Sequence, residues 1–270
     1  MIAGKTWREV RLLAVAYLLV LELLCIPVLL LWPDFYPELQ KSALLRNLGI
    51  DWLKRIGEGV SDKSEQVAYL NWVAVMLFFR STNLVATAAA VLFGTALFAR
   101  ERENQTFEFL LSRPVSRASI LWQKWWPCAL CVVVPIYLVS ASAIYWSHTI
   151  ELDLPAFELF LASTHAAVFA LCFLTATTWL SVVLRVQAHV AAVIGAVAIV
   201  QIGIYMTQRI RSYSLFHLAD FEWYGPILAG NTPAWQLFDP IHSHGFTTYL
   251  LLALVATYAL AQRALARAVP

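Results

Sequence analysis

Six runs of apolar residues, each long enough to cross a bilayer, constrain this chain more than anything else in it. A spanning helix needs roughly 20 mainly apolar residues. Such runs fall at about 12–32, 80–100, 120–146, 157–183, 189–206 and 246–261. Composition agrees: the 270 residues are 60% hydrophobic and 13% charged, where a soluble domain carries about 25% charged residues. Too little polar sequence remains to coat a soluble core. The formal net charge of +2 implies no bulk field for nucleic acid. The expected fold is all-α: a polytopic membrane protein with six transmembrane helices in a single domain over 1–270.

Lys and Arg in short flanks set orientation. Lys5, Arg8, Arg11, Arg100, Arg102, Arg113, Arg117, Lys124, Arg185, Arg263 and Arg267 share one side of the predicted topology. Lys41, Arg46, Lys54, Arg55, Lys63, Arg209 and Arg211 lie on the other, in two long segments also rich in Asp and Glu, where the rule is weak. Both termini are therefore expected to be cytoplasmic. The initial MIAGKTWREVR is short and has no small-residue cleavage site, so the first run reads as a retained helix. Trp125 and Trp146 bracket the third run, and a helix between them rises roughly 31 Å, about one hydrocarbon thickness. The two outer segments are 33–79 and 207–245. The first contains amphipathic stretches such as PELQKSALLRNLGIDWLKRI, expected to lie on the membrane surface. The second, with FEWYGPILAGNTPAW, is expected to form short re-entrant or surface helices.

Two charges fall near apolar runs. Counted from Val67, Arg80 falls inside the second apolar run; counted back from Arg100 it lies roughly 30 Å away at the outer boundary, the placement of an interfacial anchor. Glu22 lies near mid-bilayer, about 11 residues from both Arg11 and Pro33. Two roles fit such a carboxylate: a pathway-lining group, or a protonated or hydrogen-bonded packing residue. Cys25, Cys128, Cys131 and Cys172 all fall in apolar stretches and read as small packing residues, the Cys128–Cys131 pair included.

The loop at 100–118, between the second and third spans, is the most informative polar segment. Glu101 to Leu111 is helix-compatible, with Phe107, Leu110 and Leu111 on one face at i, i+3 and i+4. Pro114 ends that helix, and Ser116 is placed to cap the next. A short helix with an apolar stripe must dock on a partner, on the bilayer surface or on neighbouring helices.

The stretch ARERENQTFEFLLSRPVSRASILWQKW, from Ala99 to Trp125, resembles the permease subunits of the ABC-2 family of ATP-driven transporters. Their second and third spans are joined by Glu-Arg-Glu, a Gly-Thr, an acidic residue, Leu-Leu, Pro-Val-Ser-Arg and a Lys. Here these are Glu101, Arg102, Glu103, Thr106, Glu108, Leu110, Leu111, Pro114, Val115, Ser116, Arg117 and Lys124. The chain departs at Gln105, where the family often has Gly. The motif covers about a tenth of the chain, and the six-span plan matches over the rest.

The resemblance implies an ABC-2 (type V) exporter-like transmembrane domain in a bacterial cytoplasmic (inner) membrane, paired with a second permease chain as a homodimer or related heterodimer. It implies a separate ABC ATPase (nucleotide-binding) subunit that binds ATP and Mg, with no cofactor or metal held by this chain. The loop is then a coupling helix. Glu101, Arg102, Glu103, Thr106, Phe107, Glu108, Leu110, Leu111 and Arg117 are its expected contacts with the ATPase. The chain's only Gly-Lys-Thr, Gly4-Lys5-Thr6, lacks the upstream Gly and strand of a P-loop. His242 and His244 with Asp239 are too few in one loop to indicate a metal site. A non-transporting anchor or sensor subunit is the rival reading. A secondary transporter would show internal repeats, and none is visible.

The charge asymmetry yields a direct expectation. Single cysteines at positions 5, 102 and 267 should resist an impermeant reagent in intact cells, and those at 54 and 211 should react. Labelling of position 102 from outside contradicts the six-span topology.

Overall fold

The computed structural model describes residues 2–41, 65–112, 114–239 and 246–268, and among them every regular element is helical. Six helical stretches are long and apolar enough to cross a membrane: Ile2–Leu30, Glu65–Glu103, Arg117–Thr149, Ala156–Val183, Gln187–Met206 and Phe246–Arg267. The protein is an all-α, multi-pass membrane protein. The elements are α1 (Ile2–Leu30), α2 (Trp32–Lys41), α3 (Glu65–Val73), α4 (Leu84–Ala96), α5 (Ala99–Glu103) and α6 (Phe107–Leu111). They continue as α7 (Arg117–Thr149), α8 (Ala156–Val183), α9 (Gln187–Met206), α10 (Phe221–Leu228) and α11 (Phe246–Arg267). A π-helical segment, Ala74–Asn83, joins α3 to α4.

The centre of the bundle is α8, which packs on α4, α7 and α11, while α1 lies along α7. The buried hydroxyls Ser163, Thr175, Thr177 and Thr178 of α8 donate to the carbonyls of Leu159, Leu171, Phe173 and Leu174, four residues back. These groups therefore enter the core already satisfied. Gly94 allows α4 to approach: a Cβ there would lie 2.7 Å from Thr177 Cβ and 3.1 Å from the Leu174 carbonyl oxygen. Small residues set such close approaches between membrane helices. Outward faces of α1, α9 and α11 expose Leu12, Leu19, Leu23, Ile199, Val200, Leu252 and Val255, surface that lipid can cover.

Both ends of the chain meet the α5–α6 loop at one end of the bundle. Lys5 Nζ lies 3.1 Å from Glu101 Oε1, and Arg117 donates to the Leu265 carbonyl at 2.9 Å. We call this the terminal end. The opposite end is closed by aromatic packing of Trp32 on Tyr36, Tyr69 and Trp72, and by α10. Helix α10 buries Phe221, Tyr224, Ile227 and Leu228. Asn83 of the π segment donates to the Ala219 carbonyl at 3.1 Å and also bonds the Tyr224 hydroxyl, while Phe78 stacks on the Tyr224 ring. His165 of α8 bonds the Leu218 carbonyl and the Thr247 hydroxyl.

Two boundaries differ from the sequence expectation. Helix α1 begins at Ile2, ahead of the run counted from residue 12, because Ile2, Thr6 and Val10 form a buried stripe among polar neighbours. The second rod begins at Glu65, so residues 65–79 are not a surface segment. Asn71 and Arg80 interrupt the apolar run, but Tyr69, Trp72, Val73, Leu77 and Phe78 are buried and continue the helix into the bundle. Most of the amphipathic stretch at 37–56, together with His242 and His244, lies outside the described residues.

The Gly94 approach is testable. Gly94→Ala should lower the unfolding temperature of the purified protein, with a cost of about 1–3 kcal/mol for overpacking, whereas Gly195→Ala, with open space at its Cβ, should not.

Candidate functional site

The loop at the terminal end folds as two short helices. A single helix over Glu101–Leu111 is excluded, because Gln105 sits at φ +56°, in the left-handed region. The Thr106 N–H donates to the Glu101 carbonyl at 2.8 Å, and the Gln105 N–H to the Arg102 carbonyl at 3.0 Å. These two bonds are the Schellman arrangement that closes a helix with one left-handed residue, most often Gly. Gln105 occupies the position where the resemblance expects Gly. The Thr106 hydroxyl also bonds the Glu101 carboxylate, tying the turn to α5.

Between α4 and α5 the chain makes an elbow at Leu97–Phe98. Helix ends leave backbone groups without partners, and here two side chains supply them. Ser181 Oγ of α8 accepts from the Phe98 and Ala99 N–H groups, each at 2.9 Å. Lys124 Nζ of α7 donates to the Leu97 carbonyl at 2.8 Å, a cation at a helix C-terminus. The same ammonium lies 2.8 Å from Glu101 Oε1, which Lys5 reaches from α1 at 3.1 Å. The Thr106 hydroxyl, Lys124 and Lys5 thus converge on one carboxylate just past the elbow.

Most residues expected to meet a partner are engaged within the chain. Arg117 donates to the Leu265 and Ala266 carbonyls at 2.9 and 3.0 Å and also to the Ala268 carbonyl, holding the end of α11. Glu103 accepts from the Gln187 N–H at 2.8 Å and caps the start of α9. Arg102 bonds the Val183 carbonyl and stands 4.5 Å over the Phe107 ring. The apolar stripe is the main correction. Phe107 and Leu110 are each only 7% exposed, and Leu111 is half-buried. Their face packs on this chain's own core and is not free to dock. Glu108 remains exposed.

The most exposed large apolar group among the described loop residues is Phe109, 75% exposed on the far side of α6. It forms a ridge between two hollows. One, of about 670 Å³, is lined by Lys5, Arg8, Glu101, Leu110 and Lys124 as well as Phe109. The other, of about 880 Å³, is lined by Arg102, Gln105, Glu108 and Arg185 beside it. Sequence reasoning passed over Phe109 because it breaks the stripe. With Phe107 and Leu110 facing inward, an aromatic two positions along must point away, and that was the available signal. The contacts of Lys5 with Glu101 and of Ser181 with Phe98 and Ala99 carried no local signal, since these partners are distant in sequence. Glu22 is half-buried on α1, and Ser142 of α7 donates to its carboxylate at 2.9 Å. Ser116 caps α7 by accepting from the Ser119 N–H at 3.3 Å.

The pattern that describes the ABC-2 family transporter proteins matches residues 5–215, from the start of α1 past the end of α9 and through the whole loop. The chain belongs to the ABC-2 family. It is the membrane-spanning part of an ABC-2 transporter, a permease subunit. Such permeases generally work with an ABC ATPase partner and are typically not enzymes themselves. A search of curated proteins finds no match.

In this ABC-2 permease the turn at Gln105 offers a sharp test. Gln105→Gly should hold or raise thermal stability, because Gly accepts φ +56° without a Cβ penalty. Gln105→Val should lower it by at least about 1 kcal/mol, read as the unfolding midpoint in detergent. Equal midpoints for the two variants exclude the left-handed turn.

Proposed function

We propose that this permease belongs to an ATP-driven exporter of a bacterial cytoplasmic membrane, with both termini cytoplasmic. A separate ABC ATPase subunit, which binds ATP and Mg, docks on the α5–α6 loop at 100–118. A second permease chain completes the transport unit, and cargo passes along the interface between the two chains. The half-exposed edge of Glu22 then stands on the face of α1 next to Leu19 and Leu23, where the second chain would shape the pathway with it. The supporting observation is Phe109: a large exposed aromatic on a short helix whose other face is anchored in the bundle.

An aromatic ridge flanked by hollows suits knob-and-groove docking, in which a few anchors carry most of the binding energy. Arg8 on one side of the ridge, and Arg102 and Glu108 on the other, would orient the partner through charge pairs, which contribute less. The inward stripe then has a mechanical role. It fixes the ridge to the spans, so that movement of the ATPase is passed into the bundle.

Burying a side chain of this size contributes about 1.5–3 kcal/mol, which is about 10- to 100-fold in affinity. Phe109→Ala should therefore weaken retention of the ATPase subunit by that factor in pull-downs while leaving the permease folded. Phe107→Ala/Leu110→Ala should instead lower the stability of the permease itself. Full retention of the ATPase by Phe109→Ala, with ATP hydrolysis still coupled, would sink this docking mode.

A further inference from the structure

The elbow at Leu97–Phe98 is a break in the second rod at the point where the rod meets the loop. Such a break is normally compliant, since the last carbonyls of one helix and the first N–H groups of the next lack intrahelical partners. Here it is held from two sides by two different spans. Ser181 of α8 takes the Phe98 and Ala99 N–H groups and also lies 3.4 Å from the Thr95 carbonyl. Lys124 of α7 takes the Leu97 carbonyl and the Glu101 carboxylate, one bond on each side of the break. The Lys124 side chain is only 5% exposed, and its ammonium stands 5.4 Å from the Phe98 ring.

We propose that Lys124 is the positioning residue of this permease: by bonding Leu97 and Glu101 together, it makes the elbow rigid and carries movement of the loop into the third span. This rests on the proposed docking of an ATPase at the loop. A buried ion pair is weak evidence for stability, because desolvation offsets the attraction. Its geometric effect is more specific. One ammonium ties α4, α5 and α7 to a common point, so α5 cannot rotate without taking α7 along. Lys5 differs. Its side chain is 57% exposed and it has a second carboxylate, Glu9, at 3.7 Å. Exposed pairs contribute little and exchange readily, so Lys5 is a rim contact that the joint can lose.

The test uses the permease with the ATPase that co-purifies with it, in nanodiscs. Spin labels go on cysteines at positions 31 and 145, both exposed, with the four native cysteines replaced by alanine. The distance distribution is compared without nucleotide and with ATP plus vanadate. Lys124→Met should cut the nucleotide-shifted population at least fivefold per ATPase bound, with bound ATPase measured on the same sample. Lys5→Ala should keep the shift per ATPase bound within twofold of the parent. A full shift in Lys124→Met overturns the proposal, as does a loss of shift matched by an equal loss of ATPase binding. Should Lys124→Met fail to insert, Ser181→Ala carries the test, since it frees the other side of the elbow without touching a charge. It should cut the shift at least twofold, and an unchanged shift overturns the proposal. A parent that binds the ATPase but shows no nucleotide-dependent shift refutes ATP-driven movement itself, and the proposal with it.

Discussion

A helix that ends in or beside lipid leaves backbone donors and acceptors that water cannot serve, and the architecture of this permease turns on how those groups are satisfied. Within the spans the helices satisfy themselves. At the breaks, side chains from other spans take over. Ser181 and Lys124 serve the elbow, Arg117 serves the end of α11, and Glu103 serves the start of α9. Each of these bonds joins two or more elements, so the groups that cap the helices also fasten the terminal end together. The same economy holds at the opposite end, where Asn83 and His165 take the carbonyls of Ala219 and Leu218.

This explains why the loop is at once polar and immobilised. Its charged residues look from sequence like a surface offered to a partner, and several are spent on the chain itself. Foremost among the groups left outward is one aromatic, Phe109, with an acidic neighbour and two hollows beside it. A rigid mount with a small projecting contact suits a subunit that receives force. A broad flexible surface would absorb it.

The six spans were legible because about 20 apolar residues in a row is a signal few soluble sequences imitate. The starts of two rods were not. Hydropathy averages over all faces of a helix, while Ile2, Thr6 and Val10 bury one stripe beneath Lys5, Arg8 and Glu9. Likewise Asn71 and Arg80 lower the average of a segment whose other residues are buried. At the site, periodicity identified Phe107 and Leu110 as a buried face and could not say what buries it. The answer depends on α5 folding back at Gln105, and Gln is a residue without turn preference. The pairing of Glu101 with Lys124 spans 23 residues and two elements, so both members could be named from the motif resemblance while their contact could not.

The second rod runs unbroken from Glu65 to Ala96, ahead of the elbow, or roughly 48 Å at the rise of a helix. It touches α10 near one end and carries the loop at the other. A rod of that length is a lever: a tilt of about 5° about one end sweeps the other through roughly 4 Å, most of a helical turn. The π segment, where the bonding ladder is locally re-spaced, sits nearer the α10 end, which is where a fulcrum gives the loop its longer arm.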